Sequence, residues 1–549
     1  MKRVCLPRDA VLDRMMMQIN GTSEPNGHRF GHLNRERATK TLDMFKVAAG
    51  TPMTEEDMSS DTLKKSVSIA TGLTYYDLRA PALNLFPTVT PLRNSVGRAQ
   101  RPNPGDAAHW KSVLATTGSG FPYMGWVPEG QRSASMSYTV QQNTLPYATL
   151  GEEDDLSDEA RFAAQGFEDE DALVQLRLLL KMFVKEEAAI LGGNASLVMG
   201  APSAPTLASA TNAVTTGTLA SATYSVRVVG LTQEGYLNSS MAGGVATVLN
   251  ITGNDGKAYT LNGGSSNISV AATIAVTLGQ VLTASLPSGA ISNNVQAAPF
   301  SGAVAYAWFA GPAGSETLQA ITTTSIAAFS APFAAGRQAA TAVTGDASNN
   351  SGVAFDGFLT TAFKAGSNAY INALTPGLGL TSSGAGGVVE IDNALKTMWD
   401  TYRISPTVGY VNSQELKNIT AKVLNGSSAP LLRYQSEADN TGMVEYKLTA
   451  AGVVSFYFNP FSADGGVRIP IKIHPNLAAG TILLYAERLP PWYVSNATPE
   501  VAQILTRQDY YAEVWPKTTR RQYYGIYAQE ALAVYAPFGI GLITNIANV

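Results

Sequence analysis

The chain has 549 residues, of which 45% are hydrophobic and only 15% charged, and its net charge is -4 at pH 7. This hydrophobic fraction excludes a disordered chain. The near balance of 38 basic and 42 acidic residues argues against a protein that coats nucleic acid, because counterion release needs clustered Lys and Arg. Cys5 is the single cysteine, which excludes disulfide scaffolds, iron–sulfur clusters and cysteine-based zinc sites. At about 150 residues per domain, the length predicts roughly three to four domains.

The sequence shows no targeting or membrane segment. Pro7, Arg8 and Asp9 interrupt the N-terminus before any apolar core of the length that a signal peptide needs. The longest weakly apolar stretch, Ala531 to Ile543, contains Pro537 and is too short to span a bilayer. We therefore expect a protein that is made and folded in a reducing cytoplasm.

The first part of the chain mixes short helical stretches with extended segments. Thr54 to Ile69 is predicted to form a helix. From Trp110 to Tyr147 the chain is polar and extended, and the alternation at Ser135–Val140 predicts a two-stranded ribbon. An isolated two-stranded ribbon is only marginally stable in water, so this one is expected to pack against another part of the structure or another molecule.

The strongest helix signal runs from Phe167 to Leu191. Acidic residues at 168–171 favour the positive end of the helix, and Gly192-Gly193 predicts a left-handed C-terminal cap. Residues recurring at three- and four-residue steps predict one packed face, made of Leu173, Leu176, Leu180, Phe183, Val184, Glu187, Ile190 and Leu191.

Residues 201–350 differ from the rest of the chain in composition. They carry three basic and four acidic residues and are rich in Ala, Thr, Ser and Gly. Short β-prone runs such as Tyr224–Val229, Ala246–Ile251 and Ala303–Phe309 alternate with turn formers, which is typical of a β-sandwich. We predict one inserted immunoglobulin-like or fibronectin type III-like domain, with a low-complexity linker as the alternative.

After the insert, helices and strands alternate irregularly. Val388–Tyr402 and a segment from Asn412 or Ser413 to Leu424 are predicted helices, and Asn or Ser is a good N-cap. The predicted strands are Pro406–Val411, Val467–Ile473, Ile482–Tyr485, Tyr510–Val514 and Tyr523–Tyr535. The host of the insert is therefore predicted to be an α+β fold, and the order of its elements does not fit a Rossmann or TIM pattern.

Few residues suggest catalytic chemistry. His28 and His32 stand four apart, as zinc ligands on a helix do, but Gly27 and Gly31 flank them, so a solvent-exposed pair is favoured. The sequence has no P-loop and no Gly-x-Ser-x-Gly elbow, and four histidines leave few bases for a triad. We predict a protein that is not an enzyme and has no cofactor and no metal site.

Two charged clusters stand out. The acidic run Glu152–Asp155, followed by Asp158, Glu159 and Glu168–Asp171, lacks the ligand spacing and central glycine of an EF-hand. A solvated face or helix N-termini are therefore favoured over a calcium site. Contact with a basic patch on a neighbouring subunit is a second alternative. Arg520 and Arg521, beside Lys517, are predicted to form structural ion pairs rather than to contact phosphate.

A series of short motifs follows one order along the chain. They are Gly125–Gly130 (GWVPEG), Ser135–Thr139, Leu156–Glu159, Val184–Gly193 with its Glu-x-x-Ile-Leu-x-Gly pattern, Val388–Ile419, Ile469–Pro475 and Gly480–Tyr485. In this order they resemble the extended loop, the end of the spine helix, the peripheral domain and the return from the axial domain of tailed-phage major capsid proteins. The resemblance covers roughly residues 75–200 and 351–540. It implies the Hong Kong 97-type capsid fold with an all-β sandwich inserted after the spine helix.

The resemblance also implies a division of the chain. The expected parts are an N-terminal arm (1–104), an extended loop (105–160), a spine helix (161–200), the inserted Ig-like sandwich (201–350), a peripheral domain (351–404), an axial domain (405–490) and return strands of the peripheral domain (491–549). The isopeptide pair found in the family cannot be placed on any Lys and Asn of this sequence, so no crosslinking is implied.

The function implied by the resemblance is structural. We expect a major capsid protein that self-assembles through hexamers and pentamers into the icosahedral shell of a tailed double-stranded DNA bacteriophage. Its expected location is the virion capsid, assembled in the host cytoplasm. Its implied partners are itself, portal and scaffold or decoration proteins, and packaged DNA at the inner surface, with no membrane. The insert is expected on the outer surface, where it would contact a host surface or glycan.

We expect the subunit interface to include Trp126, Glu129, Glu152, Glu153, Asp154, Asp155, Arg520 and Arg521. If the insert is an autonomous decoration, deleting residues 201–350 should leave a host that still assembles. Three other functions stay open: an encapsulin-like compartment shell, a surface adhesin or glycan-binding protein whose binding site is in the insert, and an enzyme with an unrecognised site.

Overall fold

A computed structural model gives the fold. It describes residues 86–100, 105–118, 124–164, 169–211, 217–289, 291–292, 295–384, 386–424, 434–438, 444–448, 456–463, 465–493, 498–517 and 519–548. The predicted helix Thr54–Ile69 and the pair His28 and His32 lie outside the described residues.

The described part of the chain is a mixed α and β structure. Its helices are α1 (Pro91–Ser95), α2 (Asp158–Ala164), α3 (Glu170–Gly192), α4 (Gln233–Asn238), α5 (Phe358–Phe363), α6 (Val389–Tyr402) and α7 (Ser413–Leu424), with 3₁₀ turns at Ala340–Ala342 and Pro537–Gly539. Strands before the predicted insert are β1 (Gly97–Gln100), β2 (Ala107–Thr117), β3 (Ser137–Pro146) and β4 (Ala148–Ser157).

Strands within residues 201–350 are short. They are β5 (Thr206–Thr211), β6 (Ala222–Leu231), β7 (Val248–Thr252), β8 (Ala258–Asn262), β9 (Ala272–Val276), β10 (Gln280–Ser285), β11 (Ile291–Ser292), β12 (Val295–Gln296), β13 (Ala305–Gly311), β14 (Thr317–Thr322) and β15 (Ile326–Phe329). The strands that follow are β16 (Tyr370–Ala373), β17 (Val408–Val411), β18 (Tyr434–Ala438), β19 (Val444–Leu448), β20 (Phe456–Asn459), β21 (Val467–Ile473), β22 (Ile482–Tyr485), β23 (Ala502–Val514), β24 (Arg521–Val534) and β25 (Ile540–Thr544). The helices and strands predicted after the insert are confirmed, most with small changes of boundary, but β23 begins at Ala502, well before the predicted start at Tyr510.

The main core lies around a six-stranded sheet with the order β16-β25-β22-β17-β21-β20. Every residue of β17, β22 and β25 is buried, which matches their continuous apolar sequences. Helices α5 and α6 pack on this sheet, and the last turn of α3 joins the same cluster through Ile190 and Leu191. Phe358 of α5 meets Tyr485 of β22 edge to face, with ring centroids 4.8 Å apart.

A second sheet has the order β1-β23-β24-β4 and carries α3 on one face. Val174 and Leu178 of α3 pack against Leu156, Tyr524 and Ile526 of this sheet. With 23 residues, α3 is about 34 Å long, so one rod joins the two sheets of the host.

The predicted packed face of α3 is wrong in its N-terminal half. The buried residues of the helix are Val174, Leu178, Met182, Glu186, Glu187, Ile190, Leu191 and Gly192. Leu176 is 51% exposed, and Leu173 and Leu180 are only partly buried. Both flanks of the helix carry leucines, so the periodicity alone does not tell which flank meets the sheet.

The predicted left-handed C-cap of α3 is also wrong. Gly193 has φ -53° and ψ 142°, which is ordinary extended backbone. Glycine is needed here because the backbone of residue 193 passes close to other backbone atoms. A Cβ on Gly193 would lie 2.7 Å from the carbonyl oxygens of Ala189 and Phe355. Gly357 donates its amide hydrogen to the carbonyl of Gly193, at 2.8 Å, and so holds the two backbones together.

Within residues 201–350 the strands form two main sheets, with the orders β15-β10-β5 and β14-β13-β6-β9. Side chains from both sheets, including Trp308, Val226 and Leu282, share one hydrophobic cluster. The second face of the four-stranded sheet is also covered, because Val229 and Phe309 pack with Val245 in a further cluster. Strand β13 is therefore buried on both faces, and the hairpin β7–β8 stands apart from both sheets.

The two ends of this region meet each other. Asn350 donates its amide hydrogen to the carbonyl of Asn194 at 2.8 Å, and the side chain of Asn194 donates to the carbonyl of Ser348 at 2.7 Å. The amide of Gly200 donates to the carboxylate of Asp346 at 2.5 Å. The chain therefore leaves and re-enters the host at nearly one point, at the end of α3.

The region is also pinned to the host away from its ends. Asn545 accepts a hydrogen bond from the amide of Ser325 at 2.6 Å, and Gln233 donates to the carbonyl of Asn476 at 2.5 Å. Val304 belongs to the main core of the host. Residues 201–350 are thus packed into the host rather than held by two linkers.

Candidate assembly interface

The ribbon β2–β3 is anchored at one end only. The strands pair antiparallel from Ala107 opposite Pro146 to Thr117 opposite Ser137, which confirms the predicted two-stranded ribbon. At its base, Ala108 is buried against Leu505 and Ala533 of the sheet. The indole of Trp110 packs edge to face on Tyr535, with centroids 5.4 Å apart.

Beyond this base the ribbon is exposed on both faces. Its large apolar side chains that lie open to solvent are Val113, Leu114, Tyr138 and Val140, and further ones beyond the strands are Met124, Trp126, Val127 and Met136. The β-strand length of 11 residues corresponds to about 36 Å. Several large exposed apolar side chains on one element are typical of a surface that another molecule covers.

Trp126 is 92% exposed, the highest value among the large exposed hydrophobic residues of the described chain. It stands just before a tight turn in which Gln131 donates its amide hydrogen to the carbonyl of Pro128 at 3.1 Å. Gly130 has φ +76° in this turn, which a side chain would strain, and Glu129 beside it is exposed. The turn therefore presents Trp126 and Glu129 to solvent on a defined backbone.

The acidic run lies on β4, which pairs with β24, and its partners are on the same chain. Asp155 forms an ion pair with Arg521 at 2.8 Å, and Glu159 pairs with Arg520 at 2.6 Å. Lys517 bonds to Asp158, and this hydrogen bond lowers the pKa of the Asp158 carboxyl. The predicted structural ion-pair role of Lys517, Arg520 and Arg521 is confirmed, and the favoured solvated-face interpretation fits these half-exposed pairs.

The other acidic candidates have separate neighbours. Glu152 pairs with Lys185 of α3, and Glu153 accepts hydrogen bonds from Tyr527 and, at 2.8 Å, from Asn254 in the turn of the hairpin β7–β8. Asp154 is exposed and accepts a hydrogen bond from the amide of Asp155. A role of these residues at a subunit contact stays a prediction.

A buried ionic cluster lies where α1, β1, α3, β23 and β24 meet, and the sequence reasoning missed it. Arg98 bonds to Asp509 and Glu530 at 2.8 Å each and also to Glu186, whose side chain is fully buried. Arg93 bonds to Glu186 at 2.9 Å, and its guanidinium lies 3.8 Å from the ring centre of Phe183. The separation along the chain, 432 residues between Arg98 and Glu530, hides this cluster from local patterns.

The neighbouring carboxylate, Glu187, binds a second set of groups. It accepts hydrogen bonds from the amides of Leu92 at 2.9 Å and Arg93 at 2.7 Å. Its other partner is Nε2 of His474, at 2.7 Å, and both side chains are fully buried. A glutamate on the predicted apolar face of α3 was the one sequence signal for this site, because a buried charge needs partners.

The described residues contain neither a group of metal ligands nor a membrane-spanning helix. No group of three or more His, Cys, Asp or Glu side chains among them is placed to hold a metal ion. None of the helices that the structure describes is long and apolar enough to cross a membrane.

No protein-family model and no curated protein matches the chain. Solved structures that match it include phage capsids and an encapsulin complex. The capsid of Myoviridae Phage XM1 is 10% identical with a TM-score of 0.35, over 90% of this chain and 100% of that chain. The capsid of the Cyanophage P-SCSP1u is 8% identical with a TM-score of 0.34, over 96% and 100%. The holo-SrpI encapsulin complex from Synechococcus elongatus PCC 7942 is 9% identical with a TM-score of 0.35, over 89% and 96%. These scores are too low to establish a fold or a function for this chain.

Proposed function

We propose that this chain is the major capsid protein of a tailed double-stranded DNA bacteriophage. Its copies would assemble through hexamers and pentamers into an icosahedral shell without catalysis. Portal, scaffold or decoration proteins and the packaged DNA would be its other partners, in a capsid assembled in the host cytoplasm.

The observation that carries the proposal is the exposed half of the ribbon β2–β3. A ribbon of two strands with apolar side chains on both faces gains little stability by itself. Burying these side chains against a neighbouring copy would remove them from water, at roughly 25 cal/mol for each Å² of apolar surface. Obligate interfaces between subunits are large and apolar in this way. The low fraction of charged residues, 15%, supports the same interpretation.

The order of motifs along the sequence supports the choice of family. Under this proposal β2–β3 belongs to the extended loop (105–160), α3 to the spine helix (161–200), and β23–β24 to the return strands (491–549). Residues 351–404 and 405–490 would be the peripheral and axial domains of a Hong Kong 97-type fold, and residues 1–104 the N-terminal arm.

We assign residues 201–350 to an inserted β-sandwich on the outer surface of the shell. The shared hydrophobic cluster of its two main sheets and the meeting of its ends at Asn194 and Asn350 support an insertion. Packed DNA would leave little room for a domain of this size inside the shell, where it would also face a layer of phosphates.

The test compares the assembly of the full chain with that of variants substituted at the ribbon tip. We expect the wild-type protein to form closed shells or capsomer-sized rings in electron microscopy and light scattering. Trp126→Ala and Glu129→Ala should impair assembly while leaving the circular dichroism and unfolding midpoint of the unassembled chain unchanged, because both side chains are exposed.

Leu278→Ala is the matched control, because Leu278 is 71% exposed but lies in the predicted insert. It should assemble like the wild type. Normal shells from Trp126→Ala would contradict the role of the ribbon, and a monodisperse wild-type monomer would contradict the shell and return attention to glycan binding by residues 201–350. Shells that contain protein cargo and never package DNA would favour an encapsulin-like compartment.

A further inference from the structure

Residues 86–100 cross the C-terminal half of α3 as a strap, which comprises α1 and β1. The amides of Leu92 and Arg93 bind the carboxylate of Glu187, and Ser95 accepts a hydrogen bond from Tyr410 at 3.0 Å. Strand β1 is only four residues long, and it pairs in parallel with β23 at the edge of its sheet. The strap is therefore held by few backbone bonds and depends on its side chains.

Leu92 and Val96 of the strap are buried in the main core, and its charged side chains are Arg93 and Arg98. The carboxylates around these two arginines outnumber them. Glu186 of α3, Asp509 of β23 and Glu530 of β24 share the two guanidinium groups. Three carboxylates and two cations leave one negative charge in excess when every group is ionised. Glu186 and Glu530 are fully buried, so water does not screen this excess.

Glu530 is the carboxylate best placed to hold a proton. Its Oε2 atom accepts from Arg98, but its Oε1 atom is buried and no described residue hydrogen-bonds to it. An ionised carboxylate with an unpaired buried oxygen is costly, and a proton on that oxygen would also remove the excess charge. Burial, and then the negative charge of Glu186, raise the pKa of Glu530 to about 7.

The other charged and titratable groups around the cluster do not remove this excess. The hydroxyl of Tyr510 contacts Arg93 and Glu186, and burial followed by the charge of Glu186 raises its pKa, so it stays neutral. His474 faces Glu187, which binds the amides of the strap rather than its guanidinium groups. The net charge of the cluster therefore depends on whether Glu530 is protonated.

We propose that the strap is a latch controlled by a proton: it is closed when Glu530 is protonated and loosens when Glu530 ionises. Opening the strap withdraws Arg98 and exposes Glu530 to water, where its carboxyl loses the proton more easily. Because the closed form holds the proton more tightly than the open form, the closed latch loses stability as the pH rises above about 4.5 and stops losing it above about 7.

The test is hydrogen exchange of the amides of residues 86–100 in the full chain, between pH 6 and pH 8.5, after correction for intrinsic exchange. With a pKa of 4.5 in the open form and about 7 in the closed form, linkage predicts an increase in opening of about tenfold over this range. Glu530→Gln keeps the shape and removes the titration, so its corrected exchange should not depend on pH.

Two further variants keep the test decisive. Asp509→Asn removes one half-exposed carboxylate, so its pH response should be smaller and displaced to lower pH, even if Glu530→Gln fails to fold. Glu415→Gln alters a buried glutamate that binds the amide of Gly480 instead, and it should respond like the wild type. A flat profile for the wild type, or equal profiles for the wild type, Glu530→Gln and Asp509→Asn, would overturn the latch.

Discussion

The ribbon β2–β3 and the region 201–350 are both excursions from the host, yet their packing is opposite. The ribbon touches its own chain at its base, through residues such as Ala108 and Trp110, and then runs open to solvent. Residues 201–350 have hydrophobic clusters of their own and are pinned to the host through Ser325 and Gln233. In the single chain the apolar side chains of the ribbon stay exposed, whereas those of residues 201–350 are largely buried.

This difference separates segments that stabilise an assembly from segments that stabilise the single chain. A segment with exposed apolar surface and few internal contacts contributes energy only when a partner arrives. A segment with buried contacts to the host contributes to the fold of the single chain. Changes in the ribbon should therefore act on assembly, whereas changes in residues 201–350 should act on folding.

The largest effect is expected from deleting residues 201–350 behind a Gly/Ser bridge. The deletion exposes the part of the main core that Val304 covers and removes the Ser325 amide that donates to the side-chain oxygen of Asn545, so we expect insoluble protein. The packing of the structure thus argues against the autonomous decoration that composition suggested. Soluble yield and circular dichroism after expression provide the measurement.

A matched deletion sharpens this prediction. Removing residues 118–136 and joining Thr117 to Ser137 with Asn-Gly keeps the strand register and should leave soluble, folded protein that does not assemble. Soluble protein from the first deletion, or insoluble protein from the second, would break the comparison.

The next largest effect is expected from Trp308→Ala. Trp308 is fully buried, and its indole donates a hydrogen bond to Thr322 at 2.8 Å. Truncation leaves a large cavity and should lower the free energy of unfolding by about 3–5 kcal/mol, measured by urea denaturation of the unassembled chain. A loss below about 1 kcal/mol would mean that the shared cluster of the two sheets does not support the fold.

A smaller loss in the free energy of unfolding is expected from Asn545→Ala, which removes hydrogen bonds between residues 201–350 and the host rather than a core side chain. Asn545 accepts from the amide of Ser325 and donates to the carbonyl of Leu374, and both contacts are buried. Leaving these backbone groups unpaired should cost about 1–3 kcal/mol in the same urea assay. Asn254→Ala, an exposed contact with Glu153, is the control and should change stability by less than about 0.5 kcal/mol.

The smallest effect on the single chain is expected from Trp126→Ala. With 92% of its surface exposed, Trp126 contributes almost nothing to monomer stability, so the change should be within about 0.5 kcal/mol. Any larger loss would show that the ribbon tip packs on its own chain. Together with the assembly assay, this pair of results separates folding from association.

Local signals predicted much of the fold because they act over a few residues. Asp169 caps α3 by accepting from the amide of Ala172, as the acidic start of that helix predicts. The alternation near Ser137 predicts β3, and the helices α6 and α7 follow the apolar periodicity. In each case the residues that set the structure are neighbours in sequence.

The rest depended on partners that are distant in sequence. Which flank of α3 is buried depends on Tyr524 and Ile526, and the function of Gly193 depends on Phe355. The cluster around Arg98 could not be predicted, because its carboxylates come from α3, β23 and β24. For the interface, the sequence indicates Trp126 as unusual, but only the exposure of the whole ribbon gives that residue its context.

The position of β1 has a consequence for synthesis of the chain. Gly97 pairs with Gln503 and Gln100 with Thr506, so the sheet β1-β23-β24-β4 cannot form until nearly the whole chain has left the ribosome. During translation β1 and β4 are synthesised long before their partners β23 and β24. Sheets with such long-range pairing form slowly, and their unpaired strand edges are prone to aggregate. Chaperone supply during high-level expression is therefore expected to limit the yield of folded protein.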